Sequence, residues 1–361
     1  MENTLNGIII VNKPQGMTSH DVVGFVRGLT GVKKVGHTGT LDPMAEGVLP
    51  VCAGKATRVI EFIGKSGGGK GAGDVCSQHF LKAYDCEARF GVTTDTLDVW
   101  GAVTAESDAS DFPGVVTPER VREVFALMTG EVEQIPPAYA AIKYKGRRLY
   151  EYARRGEEIP AEALRPRKVC IESIDVTDVV TDDGEVSGER PSSSRAGHQD
   201  FVSSGSDNDS DAGPEGGSDN SSKGFATVRF SVVCSGGTYV RSIVRDAGEA
   251  LGCGAAMSAL TRTRSGVFTL ADAHTREELE RAAGDGRLAD LMLPPEAAIS
   301  FMPSATLGGS AAEKFVNGMN VNAAEGLSGA GSFIRVYDEN RFIGVGKLYD
   351  GIIRPYKVIT K

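Results

Sequence analysis

The stretch that most limits how this chain can fold runs from residue 183 to 224. Ser, Gly, Asp and Asn dominate it, and large apolar side chains are almost absent. Such a segment cannot bury enough surface to offset the entropy lost on ordering, so it reads as a disordered insertion. The core must therefore be assembled from the sequence on either side. The same stretch governs the charge. Between 182 and 222 lie ten acids against Arg190 and Arg195, which accounts for eight of the nine net negative charges. The remainder is close to neutral, so the net charge of −9 does not exclude an anionic partner.

At 361 residues the chain is long enough for two domains. Gly7 to Asn12 reads as a short buried strand ending at Lys13-Pro14. Thr18-Ser19 offers a helix N-cap, followed by an apolar stripe of Val22, Val23, Val26 and Leu29 that stops at Gly31. Residues 35–47 read as a loop. Thr117-Pro118 opens a second helix with Gly130 as its stop. Ala226 to Cys234 alternates as a strand, and after the Gly236-Gly237 turn a helix carrying Ile243, Val244, Ala247 and Leu251 closes at Gly252. Residues 66–79, with five glycines, read as a further loop insertion. Beyond Leu293-Pro294-Pro295, Phe333–Tyr337 and Phe342–Leu348 flank a turn as a hairpin, which suggests a small β-rich terminal domain. Strands and helices without regular βαβ alternation predict an α+β fold. The longest apolar run near the start is four residues, too short to span a bilayer, and the six cysteines form no Cys-x-x-Cys pair. A cytoplasmic protein with free thiols is expected.

The segment Gly36-His37-Thr38-Gly39-Thr40-Leu41-Asp42-Pro43 is the most unusual, with His37 and Asp42 as its only ionisable groups. An Asp before Pro is pushed toward extended geometry, which can present its carboxylate outward. Taken alone, such an Asp-Pro reads as a turn aspartate bonding its own backbone. From 143 to 155, Lys143, Lys145, Arg147, Arg148, Arg154 and Arg155 face one acid, Glu151. The cluster could track phosphates or form a solvated helix face.

Four blocks in order decide between these readings. Asn12 to Ser19 with Gly36 to Pro43 and Gly47-Val48-Leu49-Pro50 is the first. Lys82-Ala83-Tyr84 with Gly91 to Asp98 is the second, and Pro136 to Lys143 with Tyr150 to Arg154 the third. Gly237 to Ser242 with Leu251 to Ala255 and Leu260 is the last. Together they resemble the bacterial tRNA pseudouridine-55 synthase family over residues 7–266, the two insertions excepted.

The resemblance implies a mixed, mainly antiparallel sheet of the pseudouridine synthase type with flanking helices. It implies a catalytic domain over 1–290, and a small PUA-like RNA-binding domain over 295–361, where the likeness is looser. The substrate would be the T-loop and T-stem of tRNA, bound by a monomer that also helps tRNA to fold. Pseudouridylation breaks C1′–N1, turns the uracil and joins C1′ to C5 with all atoms kept, so neither cofactor nor metal is implied. Asp42 is the implied nucleophile. Arg241 would lower its pKa and orient it, a guanidinium being able to grip a carboxylate through two bonds. Tyr84 would stack on the flipped uracil and help remove the C5 proton. Tyr239 and Leu260 would line the pocket, His37 would help open the T-loop, and Lys13 would sit beside the active-site loops. Ala140 stands where the family usually has Ser, which removes a hydroxyl but no catalytic group.

Three other readings carry less. Gly64 to Gly71 nearly fits a phosphate-binding loop, but Gly71 replaces the Ser or Thr that ligates Mg²⁺. Cys76, His79 and Cys86 lack a fourth ligand and normal spacing for a metal site. An RNA-binding protein without catalysis is disfavoured because every expected catalytic position is filled, and the bacterial-type blocks favour a stand-alone enzyme over a guide-RNA-dependent synthase.

Overall fold

The structure, a computed structural model, describes residues 5–63, 80–107, 114–181, 225–323 and 331–359. The glycine-rich loop, the near phosphate-binding loop after residue 63, Cys76, His79 and the acidic insertion lie outside the described residues.

Strand β1 (Gly7–Lys13) leads into helix α1 (Ser19–Thr30), strands β2 (Val35–His37) and β3 (Glu46–Ala53), and a 3₁₀ segment, Gly54–Phe62. Then come β4 (Lys82–Phe90), β5 (Val92–Thr94), β6 (Val103–Glu106), α2 (Pro118–Leu127), β7 (Gly130–Gln134), β8 (Lys143–Tyr144), β9 (Arg147–Arg148) and α3 (Leu149–Arg154). Strands β10 (Arg167–Thr181) and β11 (Ala226–Cys234) precede α4 (Val240–Leu251), β12 (Ala255–Ser265), β13 (Phe268–Thr269) and α5 (Arg276–Gly284). The remainder is β14 (Ser304–Leu307), α6 (Gly309–Val316), β15 (Val321–Asn322), β16 (Ser332–Asp338), β17 (Arg341–Tyr349) and β18 (Ile352–Val358).

The main sheet runs β1-β3-β12-β4-β11-β10-β7, antiparallel except where β12 meets β3. The continuous apolar run of β1 is explained by its two faces. Ile9 and Val11 pack with Val22, Val23 and Val26 of α1, while Ile8 and Ile10 pack with Val48, Phe62, Ile299, Phe342 and Val345. Alternate side chains thus feed two separate cores. The second core joins the main sheet to a five-stranded sheet, β14-β16-β17-β18-β15. Phe62 meets Phe333 edge-on at 5.1 Å, Lys357 pairs with Glu61 at 2.6 Å, and Arg58 donates to the Val358 carbonyl.

Helix α1 begins on a capping box between Thr18 and Asp21 and ends with Gly31 in the left-handed region, as its sequence signals predict. β11 and α4 also fall where expected. Two readings differ. Val35–His37 is a strand against β3 rather than the start of a loop, and α2 stops at Leu127 with Met128 as cap, so Gly130 opens β7. Cys52, Cys86, Cys234 and Cys253 are free thiols, whereas Cys170 is disulfide-bonded, against the expectation of free thiols. Gly248 lets α4 lie close on the sheet, since a β-carbon there would stand 2.3 Å from the Ala255 nitrogen. Among the described residues no helix is long and apolar enough to cross a membrane.

Candidate active site

Asp42 sits on the loop between β2 and β3, and that loop is latched from several sides. Ser19 of α1, buried, accepts from the Leu41 N–H at 2.8 Å and donates to the Leu41 carbonyl at 3.0 Å. Lys13 is fully buried, and its Nζ donates to the carbonyls of Met17 at 2.7 Å, Pro14 at 2.9 Å and Pro43 at 3.5 Å. Burial pushes its amine down to about 8, against the pull of Asp42 and Glu46. Arg262 of β12 is equally buried and donates to Val48 at 2.7 Å, Gly39 at 3.3 Å and Thr40 at 3.5 Å. Two cations thus hold the loop through backbone oxygens and leave the Asp42 carboxylate free.

Arg241, in the first turn of α4 and only 4% exposed, brings its Nε to 2.9 Å from Asp42 Oδ2, with 33% of the Asp42 side chain open to the cleft. The N–H does not point at that oxygen, so the contact is an ion pair rather than an aligned hydrogen bond. The expected two-bond grip on Asp42 is absent. The other guanidinium nitrogens go to the Thr96 carbonyl at 2.5 Å, Asp98 Oδ2 at 3.3 Å and the Tyr139 carbonyl at 2.9 Å. Asp98, buried, is fixed in turn by the Thr96 hydroxyl at 2.9 Å and the Trp100 N–H at 3.1 Å. Burial raises the Asp42 carboxyl above its usual value of 3.8; Arg241 opposes this and Asp98 adds to it. The expected net lowering by Arg241 is therefore outweighed by burial.

Asp42 and Arg241 stand where two hollows meet. The inner one, about 260 Å³, is walled by Lys82, Tyr84, Tyr239 and Leu260. The outer one, about 620 Å³, is walled by His20, His37, Trp100, Arg148, Tyr150 and Arg154. The expected residues therefore separate. Tyr84, Tyr239 and Leu260 face the inner hollow with Asp42 and Arg241, His37 faces the outer one, and Lys13 lies beneath the loop. Burial pushes the Tyr84 phenol up to about 12, so it is neutral near pH 7. Burial also lowers the His37 imidazole, whose Nδ1 accepts from the Gly39 N–H at 3.3 Å. Of the basic cluster, Arg148 and Arg154 reach the outer cleft, while Arg147 and Arg155 pair with Glu157 at 2.9 and 3.8 Å.

Sequence reasoning missed Arg262, Asp98 and Gln134. Gln134 holds the backbone of Tyr239 by two hydrogen bonds, at 2.7 and 3.0 Å, and so sets the entry to α4. Trp100, 54% exposed at the cleft, was likewise unmarked.

Three family models match the chain. They are the TruB family pseudouridylate synthase N-terminal domain over residues 27–189, the tRNA pseudouridylate synthase B C-terminal domain over 241–300 and the pseudouridine synthase II TruB C-terminal region over 303–359. The fold is therefore that of a pseudouridylate synthase. Relatives named tRNA pseudouridine synthase B include one from Symbiobacterium thermophilum, 41% identical over 87% of this chain and 83% of the relative. Another, from Geobacillus thermodenitrificans, is 39% identical over 87% of this chain and 85% of the relative. The chain belongs to the TruB family. The fold is shared with chains in an H/ACA RNP bound to a substrate RNA containing 2′-deoxyuridine and in a Cbf5-Nop10-Gar1 complex. Each superposes with a TM-score of 0.61 at 21% and 22% identity, covering 99% of this chain and 86% and 85% of theirs.

Proposed function

We propose that this chain isomerises the uridine at position 55 in the T-loop of tRNA to pseudouridine, with Asp42 as nucleophile. The observation that carries the reading is the ionisable Asp42, paired with buried Arg241 in a hollow of about 260 Å³ that adjoins a basic, aromatic cleft. Tyr84, Tyr239 and Leu260 receive the base, which must leave its stack before a carboxylate can reach C1′ or the ring. His37 helps open the T-loop from the outer cleft. Arg148 and Arg154 meet backbone phosphates, and Trp100 and Tyr150 offer faces for unstacked bases. The reaction conserves atoms: C1′–N1 breaks, C1′–C5 forms, C5 loses its proton and N1 gains one. Residues 1–290 serve as the catalytic domain and 295–361 as a PUA-like RNA-binding domain. A tritium-release assay with uracil-5-labelled tRNA tests the reading. Release from wild-type tRNA, and none from a transcript altered at the T-loop uridine, is expected; release from both would overturn the position, and from neither the reaction.

A further inference from the structure

Lys82 is the charged side chain of the inner hollow that this reaction leaves without a task. It opens β4 two residues before Tyr84, so both side chains leave the strand on one face, and both line the hollow with Asp42 and Leu260. Its neighbours come from three other elements. Cys234 of β11 lies opposite it in register, Arg262 approaches from β12, and a β-carbon built on Gly39 of the catalytic loop would stand 3.0 Å from its Nζ. None is an acid. Among the described residues, no hydrogen bond or ion pair engages the Lys82 ammonium. The other cations here are committed: Lys13 and Arg262 to backbone carbonyls, Arg241 to Asp42, Asp98 and the Thr96 and Tyr139 carbonyls. A cation left unpaired in such surroundings is costly, which points to a partner that arrives with the substrate.

The chemistry supplies that partner. If Asp42 attacks C6, the ring electrons move onto C5 and O4 as an enolate. If C1′–N1 breaks first, the pair stays with N1 and spreads over O2 and O4. On either route a carbonyl oxygen of the uracil becomes negative inside the hollow. We propose that Lys82 is a catalytic residue whose ammonium donates to that carbonyl oxygen and balances the ring's charge until C1′ is rejoined at C5. This rests on the proposed isomerisation. No proton leaves Lys82. Burial and Arg262 bring its amine down to about 8, which still leaves it mainly protonated at pH 7.

The test is the single-turnover rate of pseudouridine formation at saturating tRNA, with tRNA affinity measured alongside, for wild type and Lys82→Met, Lys82→Arg and Lys82→Ala. Removing a donor aimed at developing charge costs about 10²–10³ in rate. Lys82→Met should lose that much while its affinity stays within about threefold, because the contact strengthens only as the charge develops. Lys82→Arg should regain part of the rate, and ethylammonium should restore part of it to Lys82→Ala. A Lys82→Met rate within about threefold of wild type overturns the assignment. So does a slow Lys82→Met that neither arginine nor ethylammonium relieves, since lost packing is not cured by charge. A wild type that forms no pseudouridine overturns the proposed reaction and this role with it, so the two failures are distinguishable.

Discussion

Arg241 reaches Asp42 with a single nitrogen and uses the others to join the Thr96, Asp98 and Tyr139 segments. Its removal should therefore do more than free a carboxylate. Arg241→Met should slow turnover by about 10³-fold and Arg241→Lys somewhat less, since an ammonium keeps the charge but cannot span three segments. Near-normal rates in both at saturating tRNA would show that the pair does not matter. Asp42→Ala or Asp42→Asn should abolish product while tRNA affinity stays within roughly tenfold, because affinity comes from phosphate and stacking contacts. Turnover by Asp42→Ala above about 5% of wild type would remove it as nucleophile. The pH profile follows from the same pair. Burial raises the Asp42 carboxyl while Arg241 opposes, and the ionised form is the active one. Rate is thus lost as pH falls through a value raised above the usual 3.8, and Arg241→Met should move that acid limb higher still. A limb that stays put would contradict the electrostatics. Asp42 and Arg241 were singled out only through the resemblance of their blocks, since alone each reads as a turn aspartate or a helix-end charge. Asp98 and Gln134 were not, since their partners Arg241 and Tyr239 lie more than 100 residues away and only the fold brings them near.

Elements were legible where the signal is local. Thr18 with Asp21 and Gly31 bracket α1, and alternation marks β11, because caps and periodicity lie within a few residues. The parts misread are set by distant pairing: β2 exists because β3 lies beside it, and α2 ends early because β7 must pair with β10. Arg262 belongs to this scale, for it ties β12 to β3 and to the catalytic loop. In Arg262→Met, three carbonyls lose a charged donor, at ~1–3 kcal/mol for each left unsatisfied. Relief from burying a cation returns several kcal/mol in compensation. The two nearly cancel, so the urea midpoint should move little while the single-turnover rate falls about a hundredfold as the loop comes unlatched. A rate within threefold of wild type would refute the latch. Gly47 offers no such compensation. Its φ is +101°, and a β-carbon there would stand 2.3 Å from the Arg262 carbonyl oxygen. Gly47→Ala should destabilise by roughly 3 kcal/mol, read from denaturant midpoints.

At the scale of the molecule, the question is what residues 183–224 contribute. Their composition, dominated by Ser, Gly, Asp and Asn, offers few large apolar side chains for a core. The chain leaves β10 at Thr181 and returns to β11 at Ala226, and these two residues face each other in antiparallel register. A short connection can therefore close the same hairpin, and closure entropy grows only slowly with length, so shortening costs the fold little. Replacing 183–224 with a short Gly-Ser linker should keep the thermal transition and the Asp42-dependent turnover. It also removes six of the nine net negative charges, since 183–224 holds nine acids against Arg190, Arg195 and Lys223. The remaining surface then meets tRNA without a like-charged segment tethered to β10 and β11, and association should quicken most at low salt, where the Debye length is about 30 Å at 0.01 M. At 1 M, with screening near 3 Å, the two proteins should bind alike. Stopped-flow association and turnover across that salt range give the answer. Equal association rates at every salt would show that the acids point away from the RNA path, and loss of folding or activity on deletion would show that the segment builds part of the enzyme.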